Sequence, residues 1–362
     1  MTRIVLHVDL DSFYASLEEI RNTEIKGKPV VICVYSGRSP DSGAVSTSNY
    51  KARELGIKAG IPISFAKRIA KDKEVVFLPV DMEHYRLASD RIMELLEEEA
   101  DAIEQVSIDE AYLDVTNRPF ENWIEAQKIA EKIKEKIKHH EGLTCSVGIG
   151  PNKLVAKMAS GHKKPNGLTV ITDAEVIGFF DKLPVSKIHG IGDRTTKSLN
   201  DLGIQTASDL ANYNIDALER IFGKNKAKIL QEKAKGIDES PVEQDEIQQI
   251  SRIGTLSEDT DNIEIIFEKI KELSFDIQKK IKKKVVDFRT ISIIAIDTEL
   301  KTHSRSETLQ QTDLIDENLI KVRNLLQKFF EENPGKKLRR IGIKVSNLLE
   351  KKKQKTLGDF YS

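Results

Sequence analysis

The chemistry open to this chain is concentrated in a few acids. Asp9 closes the apolar run "RIVLHVDL", and Asp109 and Glu110 stand side by side in "VSIDEAYLDV". Side chains on a strand alternate faces, so adjacent carboxylates converge on one target only where the chain turns between or beside them. The apolar context divides the second stretch into two short strands, "IEQVSI" and "AYLDV", with the acidic pair at a hairpin tip. At such a tip both acids can face one site, and their mutual repulsion at neutral pH then needs an outside cation. A polar turn with solvated carboxylates is the alternative for that stretch taken alone. Asp9 meets the tip if the two strands are neighbours in one sheet. Three such groups form a hard, all-oxygen donor set suited to divalent ions. Two ions about 3.5–4 Å apart can activate a hydroxyl on one side and neutralise a leaving oxygen on the other, which is the chemistry of phosphoryl or nucleotidyl transfer.

The elements that must position these groups follow from the pattern. "RIVLHVDL" reads as a short strand, after which Asp11 or Ser12 caps a helix running to about Arg21. "KGKPVVICVYSG" gives a second strand behind a Gly/Pro break, and "STSNYKARELGI" a capped helix that Gly56 stops. Tyr50 and Arg53 lie three apart on one face of that helix, with Thr47 one turn earlier. A helix from about Tyr85 to Ala102 leads into the acidic hairpin. "WIEAQKIAEKIKEKIKHH" then places Ala126, Ile129, Ala130, Ile133 and Ile137 on one stripe, as an amphipathic helix covering a sheet does. With "LTCSVGIG" as a further strand, strands and helices mix through residue 171, which predicts an α+β domain. Short helices joined by glycine turns extend to about Gly236. "IDESPVEQDEIQQ" is acid-rich and aperiodic and reads as a linker. From about Ile250 the order strand, helix, strand, strand, helix, strand predicts a second compact α+β unit.

A chain of 362 residues with 39% apolar content can build two or three domains with real cores. Lys and Arg total 57 against 58 Asp and Glu, so net charge is silent about nucleic acid, and any basic surface has to come from local clustering. Cys33 and Cys145 lie in apolar strands and read as buried thiols, which suits a reducing cytosol and argues against a disulfide scaffold or a Cys-rich metal site. The N-terminus is too acidic and too short in apolar length for a signal peptide, and no run of about 18 apolar residues occurs. These features predict a soluble, cytoplasmic protein with no membrane contact.

Five stretches, "VDLDSFYASLE", "SNYKARELGIKAGIP", "SIDEAYLDV", "VGIGPNKLVAKMAS" and "KKPNG", in this order and with these separations, resemble the Y-family DNA polymerases, specifically the archaeal DinB-like (polymerase IV type) lesion-bypass enzymes. The resemblance implies a right-hand α+β polymerase with the palm in 1–11 and 80–171 and the fingers in 12–79. It further implies a helical thumb with a helix-hairpin-helix in 172–236, a linker in 237–249, a DNA-binding little finger in 250–349 and a clamp-binding tail in 350–362. It assigns Asp9, Asp109 and Glu110 as catalytic metal ligands with the backbone carbonyl of Leu10, holding two Mg2+ ions for which Mn2+ can substitute. Asp11 reads instead as a helix cap or an acceptor behind the ligands. Tyr14 falls at the position of the steric gate that rejects a 2′-hydroxyl, and Tyr50, Arg53 and Lys164 at positions that bind the β- and γ-phosphates of a deoxynucleoside triphosphate. Arg meets phosphate oxygens with a planar fork and Lys with a compact charge. Thr47 adds a hydroxyl donor. Gly43 and Ala44 put little bulk over the nascent base pair, which implies low fidelity. Lys153 and Lys157 read equally as a solvated helix face or as phosphate contacts.

Primer-template DNA is the expected partner. In "SKIHGIGDRTTKSLNDLGI" two short helices flank "HGIG", where Gly190 and Gly192 let backbone amides approach a phosphate, with Lys197 behind them. In the C-terminal unit Arg252, Arg289, Arg305, Arg339, Arg340 and Lys344 lie on or near strands that can track DNA backbones. The ending "QKTLGDFY" fits a sliding-clamp motif in which Gln354 anchors and Leu357, Phe360 and Tyr361 form an apolar plug on one helical turn. The expected enzyme works as a monomer recruited by the clamp. A nucleotide cyclase with a similar palm and a catalytically silent scaffold on damaged DNA are the competing classes.

Overall fold

The computed structural model describes residues 3–118, 122–244 and 246–350. The chain divides into one unit spanning Met1–Val34 and Ala44–Asp245, and a second spanning Tyr35–Gly43 and Glu246–Ser362. In the first, β1 (Val5–Leu10), α1 (Phe13–Arg21), β2 (Val30–Tyr35), β3 (Gly43–Ser48), α2 (Tyr50–Glu54), α3 (Ile63–Ile69) and β4 (Val76–Pro79) come first. Then follow α4 (Met82–Glu97), β5 (Ala102–Gln105), β6 (Glu110–Asp114), α5 (Trp123–Glu141), β7 (Cys145–Gly150), α6 (Lys153–Ser160) and β8 (Leu168–Val170). The short helices α7 (Val176–Asp181), α8 (Asp193–Asn200), α9 (Ala207–Asn212), α10 (Ile215–Phe222) and α11 (Lys224–Ala234) complete it.

Five strands pair in the order β5-β6-β1-β7-β8, with β1 antiparallel to both β6 and β7. The alternation of β1 divides the sheet into two faces. Leu6, Val8 and Leu10, with Ala111, Leu113, Val147 and Ile149 beside them, enter a core formed with α4 and α5. The expected stripe of α5 is buried there through Ala126, Ala130, Ile133 and Ile137, and each fully buried isoleucine contributes about 1.5–3 kcal/mol. Asn122 caps this helix by accepting from the Glu125 amide at 2.9 Å, and Gly142 ends it at φ 71°. The opposite face carries Val5, His7 and Asp9 and is covered by α6. That helix approaches so closely that a Cβ at Gly148 would come 2.1 Å from the Ala156 carbonyl and 2.2 Å from the Ser160 amide. Only glycine admits the contact.

A second sheet, β3-β2-β4, builds its own core from Val31, Cys33, Val45, Ala52, Ile57, Ile63 and Ala66. Here the sequence expectation needs correcting. The helix expected from the serine-rich stretch begins only at Tyr50, because β3 runs through Ser48 and Asn49 makes the cap, accepting from the Ala52 amide at 3.1 Å. Thr47 therefore stands on a strand. The expected cap on α1 is also absent: Ser12 enters the helix at φ 48° with no side-chain cap bond, and Asp11 is engaged elsewhere.

The helices from α7 onward share a core through Phe180, Leu199, Leu210, Leu218 and Leu230. The first helix expected before "HGIG" is a single 3-10 turn, Val185–Lys187. The segment expected to be a plain linker is strapped down along 237–244. Arg3 donates to the Ser240 carbonyl at 2.7 Å, Gln244 accepts from the Gln105 amide at 3.2 Å, and Val242 is buried against Val5, Tyr112 and Ala156.

In the second unit β9 (Gln249–Thr260), α12 (Ile263–Lys284), β10 (Val286–Asp297), β11 (Thr302–Thr312), α13 (Leu319–Glu332) and β12 (Leu338–Glu350) form an antiparallel sheet in the order β11-β10-β12-β9. Both helices pack on one face, over Ile291, Ile293, Ala295, Ile341, Ile343 and Val345. Among the described residues no helix is long and apolar enough to cross a membrane.

Candidate active site

The β1–β6 register sets Asp9 directly across from Glu110, so both carboxylates leave the same face of the sheet. Asp109 is the last residue of the hairpin turn. Its carbonyl accepts from the Leu10 amide at 2.9 Å, and the Val106 amide closes the turn on the Glu110 carbonyl at 3.1 Å. The turn takes up Val106 to Asp109, more than the sequence pattern suggested, and so frees Asp109 from the strand. Ser107 donates to the Asp109 carboxylate at 2.6 Å. Burial raises the Asp109 pKa above the usual carboxylate range, and the charges of Asp9 and Glu110 add to the rise. Glu110 moves the other way, to about 2, held down by His7 beneath it and by the Lys157 ammonium.

Two lysines share these carboxylates. Lys157 reaches in from α6 to pair with Glu110 and lies 3.7 Å from Asp9, while Lys164 pairs with the other Asp9 oxygen. Among the described residues no three acidic, His or Cys side chains already form a metal-holding cluster. The donor set nevertheless fits a divalent ion. The oxygens of Asp9 and Glu110 already converge on one cation, the Lys157 ammonium, and Asp109 opens on the same cleft as Asp9.

That cleft encloses roughly 340 Å3 and is lined by Asp9, Leu10, Tyr14, Ser46, Thr47, Tyr50, Arg53, Asp109 and Lys164, among others. Tyr14, another lining residue, stacks its ring on Tyr85, with centroids 4.3 Å apart and planes 15° from parallel. The Arg53 guanidinium, also in the lining, lies 4.9 Å over the Tyr50 ring and donates to the Ser48 carbonyl at 2.8 Å. The Tyr50 hydroxyl donates to Asp11 at 3.2 Å. Asp11 is buried and also accepts from the Ser146 hydroxyl and the Asn166 amide, both at 2.8 Å. It ties the sheet, the "KKPNG" turn and α2 together behind the cleft. Ala44, on β3, is exposed and does not line the cleft.

Models of the impB/mucB/samB family match residues 8–161 and, as its C-terminal domain, 247–358, and a DNA polymerase-iota thumb-domain model matches 186–238. DNA polymerase IV of Methanosarcina acetivorans is 43% identical over 99% of this chain and 100% of the relative. DNA polymerase IV of Saccharolobus solfataricus is 40% identical over 96% and 97%. A solved Y-family DNA polymerase chimera of Dbh and Dpo4 is 39% identical, covers 96% of this chain and 100% of its own, and superposes with a TM-score of 0.90. The chain belongs to the Y family of DNA polymerases. An insertion ternary complex of Dbh DNA polymerase matches over the same shares at 39% identity and a TM-score of 0.71.

Other expected contact residues of this Y-family polymerase are placed as follows. Gly190 turns the chain at φ 85°, and Gly192 precedes α8 in an extended conformation, with Lys197 in that helix's last turn. Lys233 from α11 donates to the His189 carbonyl at 3.1 Å beside this turn, a basic residue the motif did not single out. In the C-terminal sheet Arg340 and Lys344 alternate with the buried Ile341 and Ile343 and so lie on the face away from the helices. Arg252 and Arg339 are instead tied to acids, Asp276 at 3.7 Å and Asp259 at 2.8 Å. Arg305 pairs with Glu332 at 2.6 Å. Gln354, Leu357, Phe360 and Tyr361 lie outside the described residues.

Three residues behind the cleft were missed or undervalued in the sequence. Asp11 is an acceptor for three donors, as one of its two expected roles allowed. Lys157 faces the carboxylates, which its place one turn beyond Lys153 on a helix could not reveal. His7 lies inside an apolar strand, which masks it, and its spacing of two from Asp9 puts it on the same face.

Proposed function

We propose that this Y-family DNA polymerase is a template-directed, low-fidelity enzyme that extends primers with deoxynucleoside triphosphates past DNA lesions by two-metal nucleotidyl transfer. The observation that carries this reading is that Asp9, set across the β1–β6 register from Glu110, lines one cleft together with Asp109, Thr47, Tyr50, Arg53 and Lys164. Mg2+ ions held by the three carboxylates and the Leu10 carbonyl, with Mn2+ able to substitute, would supply charge neutralisation and a more acidic primer 3′-hydroxyl. The chain's own residues do the rest. Arg53 and Lys164 take the triphosphate oxygens, with hydroxyl donors from Tyr50 and Thr47. Tyr14, braced by Tyr85, lies under the sugar and leaves no space for a 2′-hydroxyl. The 3′-hydroxyl gives up its proton to solvent and its oxygen forms a bond to the α-phosphorus as the bond to pyrophosphate breaks. In the first unit the turn at Gly190 and Gly192 with Lys197, and in the second unit, separately, the sheet face with Arg340 and Lys344, offer groups that take DNA phosphates.

Primer extension on a defined template carrying one abasic site tests the activity. Mg2+-dependent, template-matched extension through the site is expected. Cyclic product from nucleotide alone, with no primer extension, would replace this reading by that of a cyclase.

We further propose that residues 354 to 362 recruit a sliding clamp. Deleting them should leave basal extension intact and abolish stimulation by added clamp. Loss of basal extension would instead make the tail structural.

A further inference from the structure

His7 is wholly buried on the face of the sheet that carries Asp9 and Glu110. Its Nδ1 lies 2.8 Å from the Ser160 hydroxyl on α6, and its Nε2 lies 3.6 Å from Glu110 Oε2. Among the described residues no group stands within hydrogen-bond distance of Nε2. The ring is held edge-on by Tyr112, centroids 4.8 Å apart, which leaves it little freedom to turn. Two glycines make this possible. Gly148 is opposite His7 in the β1–β7 register, and without a side chain there or at Gly150, α6 settles close enough for Ser160 to reach the ring.

The Ser160 hydroxyl has one hydrogen and two acceptors within reach, His7 Nδ1 and the Lys157 carbonyl at 2.9 Å. If it donates to the carbonyl, Nδ1 carries the ring proton and a bare Nε2 lone pair faces a carboxylate oxygen inside the protein. If it donates to Nδ1, the ring proton sits on Nε2 and points at that oxygen. The second arrangement replaces a repulsion by an electrostatic attraction across 3.6 Å.

From this we infer that His7 is a positioning residue: its Nε2–H, fixed by Ser160, faces Glu110 Oε2, the oxygen that also meets the Lys157 ammonium, and so holds the carboxylate in the orientation in which it would take a divalent cation. The inference rests on the metal reading given above. Partners of this kind orient a ligand without touching the ion, and their loss typically weakens metal affinity about 10–100-fold.

Mn2+ titrated into the full chain, with free ion counted by electron paramagnetic resonance, tests this in parent, His7→Phe, His7→Gln, Ser160→Ala and Glu110→Ala. His7→Phe should bind Mn2+ about tenfold more weakly while unfolding at close to the parent temperature. His7→Gln, which carries an amide N–H at the reach of Nε2, should recover to within about threefold, and Ser160→Ala should fall between parent and His7→Phe. In single-turnover insertion the His7→Phe defect should shrink at high Mg2+, because the ligand is misaligned rather than lost. A folded His7→Phe with parent affinity, beside a Glu110→Ala that has lost it, would show that His7 only fills space and would overturn the inference alone. Parent affinity in Glu110→Ala would overturn the metal reading, and the inference with it. Should His7→Phe fail to fold, Ser160→Ala decides, and parent affinity there contradicts the proposal.

Discussion

Asp9 and Glu110 face each other across neighbouring antiparallel strands, and the ammonium of Lys157 lies between their carboxylates. This pairing is the geometric basis of the site. It follows from a register that also puts Leu6 opposite Leu113 and Val8 opposite Ala111 in the core. A slip of one residue would carry every side chain of β1 to the other face, so the hydrophobic packing of α4 and α5 fixes the chemistry above it.

Tyr14 lines the cleft with its ring stacked on Tyr85. On the gate role proposed above, replacing it by alanine opens space for a ribose 2′-hydroxyl. Incorporation of ribonucleotides relative to deoxynucleotides is expected to rise by about tenfold or more, measured as a ratio of kcat/KM. Unchanged sugar selectivity would place the gate elsewhere.

Arg53 is held by the Ser48 carbonyl and the Tyr50 ring. Arg53→Ala should raise KM for the incoming nucleotide by roughly 10- to 100-fold, the range of a lost charge-assisted bond pair, with a smaller effect on kcat. Arg53→Lys should recover only part of this, because an ammonium cannot fork onto two oxygens. Equal KM values in parent and Arg53→Ala would remove Arg53 from the triphosphate site.

Much of this was legible in the residues. The second unit's strand and helix order was legible because α12 and α13 each bury one apolar stripe and its core strands are runs rich in Ile and Val. The acidic hairpin was legible because two adjacent carboxylates in an apolar strand need a turn. The serines before Tyr50 resemble a helix cap, but the cap is Asn49, one residue beyond them, which leaves Thr47 on β3. Val242 and the strap at 237–244 were hidden because a single valine in an acidic segment carries no period. His7 and Lys157 were undervalued for a common reason. Their roles depend on how closely α6 lies on β7, which Gly148 and Gly150 decide and no local pattern displays.

Asp297, at the end of β10, is buried and bound by His303 at 2.9 Å, Lys336 at 3.1 Å and the amides of Glu299 and Lys301. These partners, His303 first, hold its pKa well below its ordinary 3.8. A depressed carboxylate stabilises the fold fully above its unfolded pKa and loses that contribution as pH falls toward the folded one. Asp297→Asn should therefore be less stable than the parent at pH 5 to 7 by a nearly constant margin, in urea unfolding of the full chain. That margin should shrink as pH falls below about 3.8. A margin independent of pH down to 2 would mean that the charge of Asp297 contributes nothing.

The central claim is that Asp9, Asp109 and Glu110 act together on one nucleotidyl transfer. Single-turnover insertion of a matched nucleotide by Asp9→Asn, Asp109→Asn and Glu110→Gln tests it most directly, since each change keeps the volume and removes the charge. Each variant should lose about 10²–10³-fold or more in insertion rate while binding primer-template DNA as the parent does. Rates within about threefold of the parent in any one of them would contradict the account.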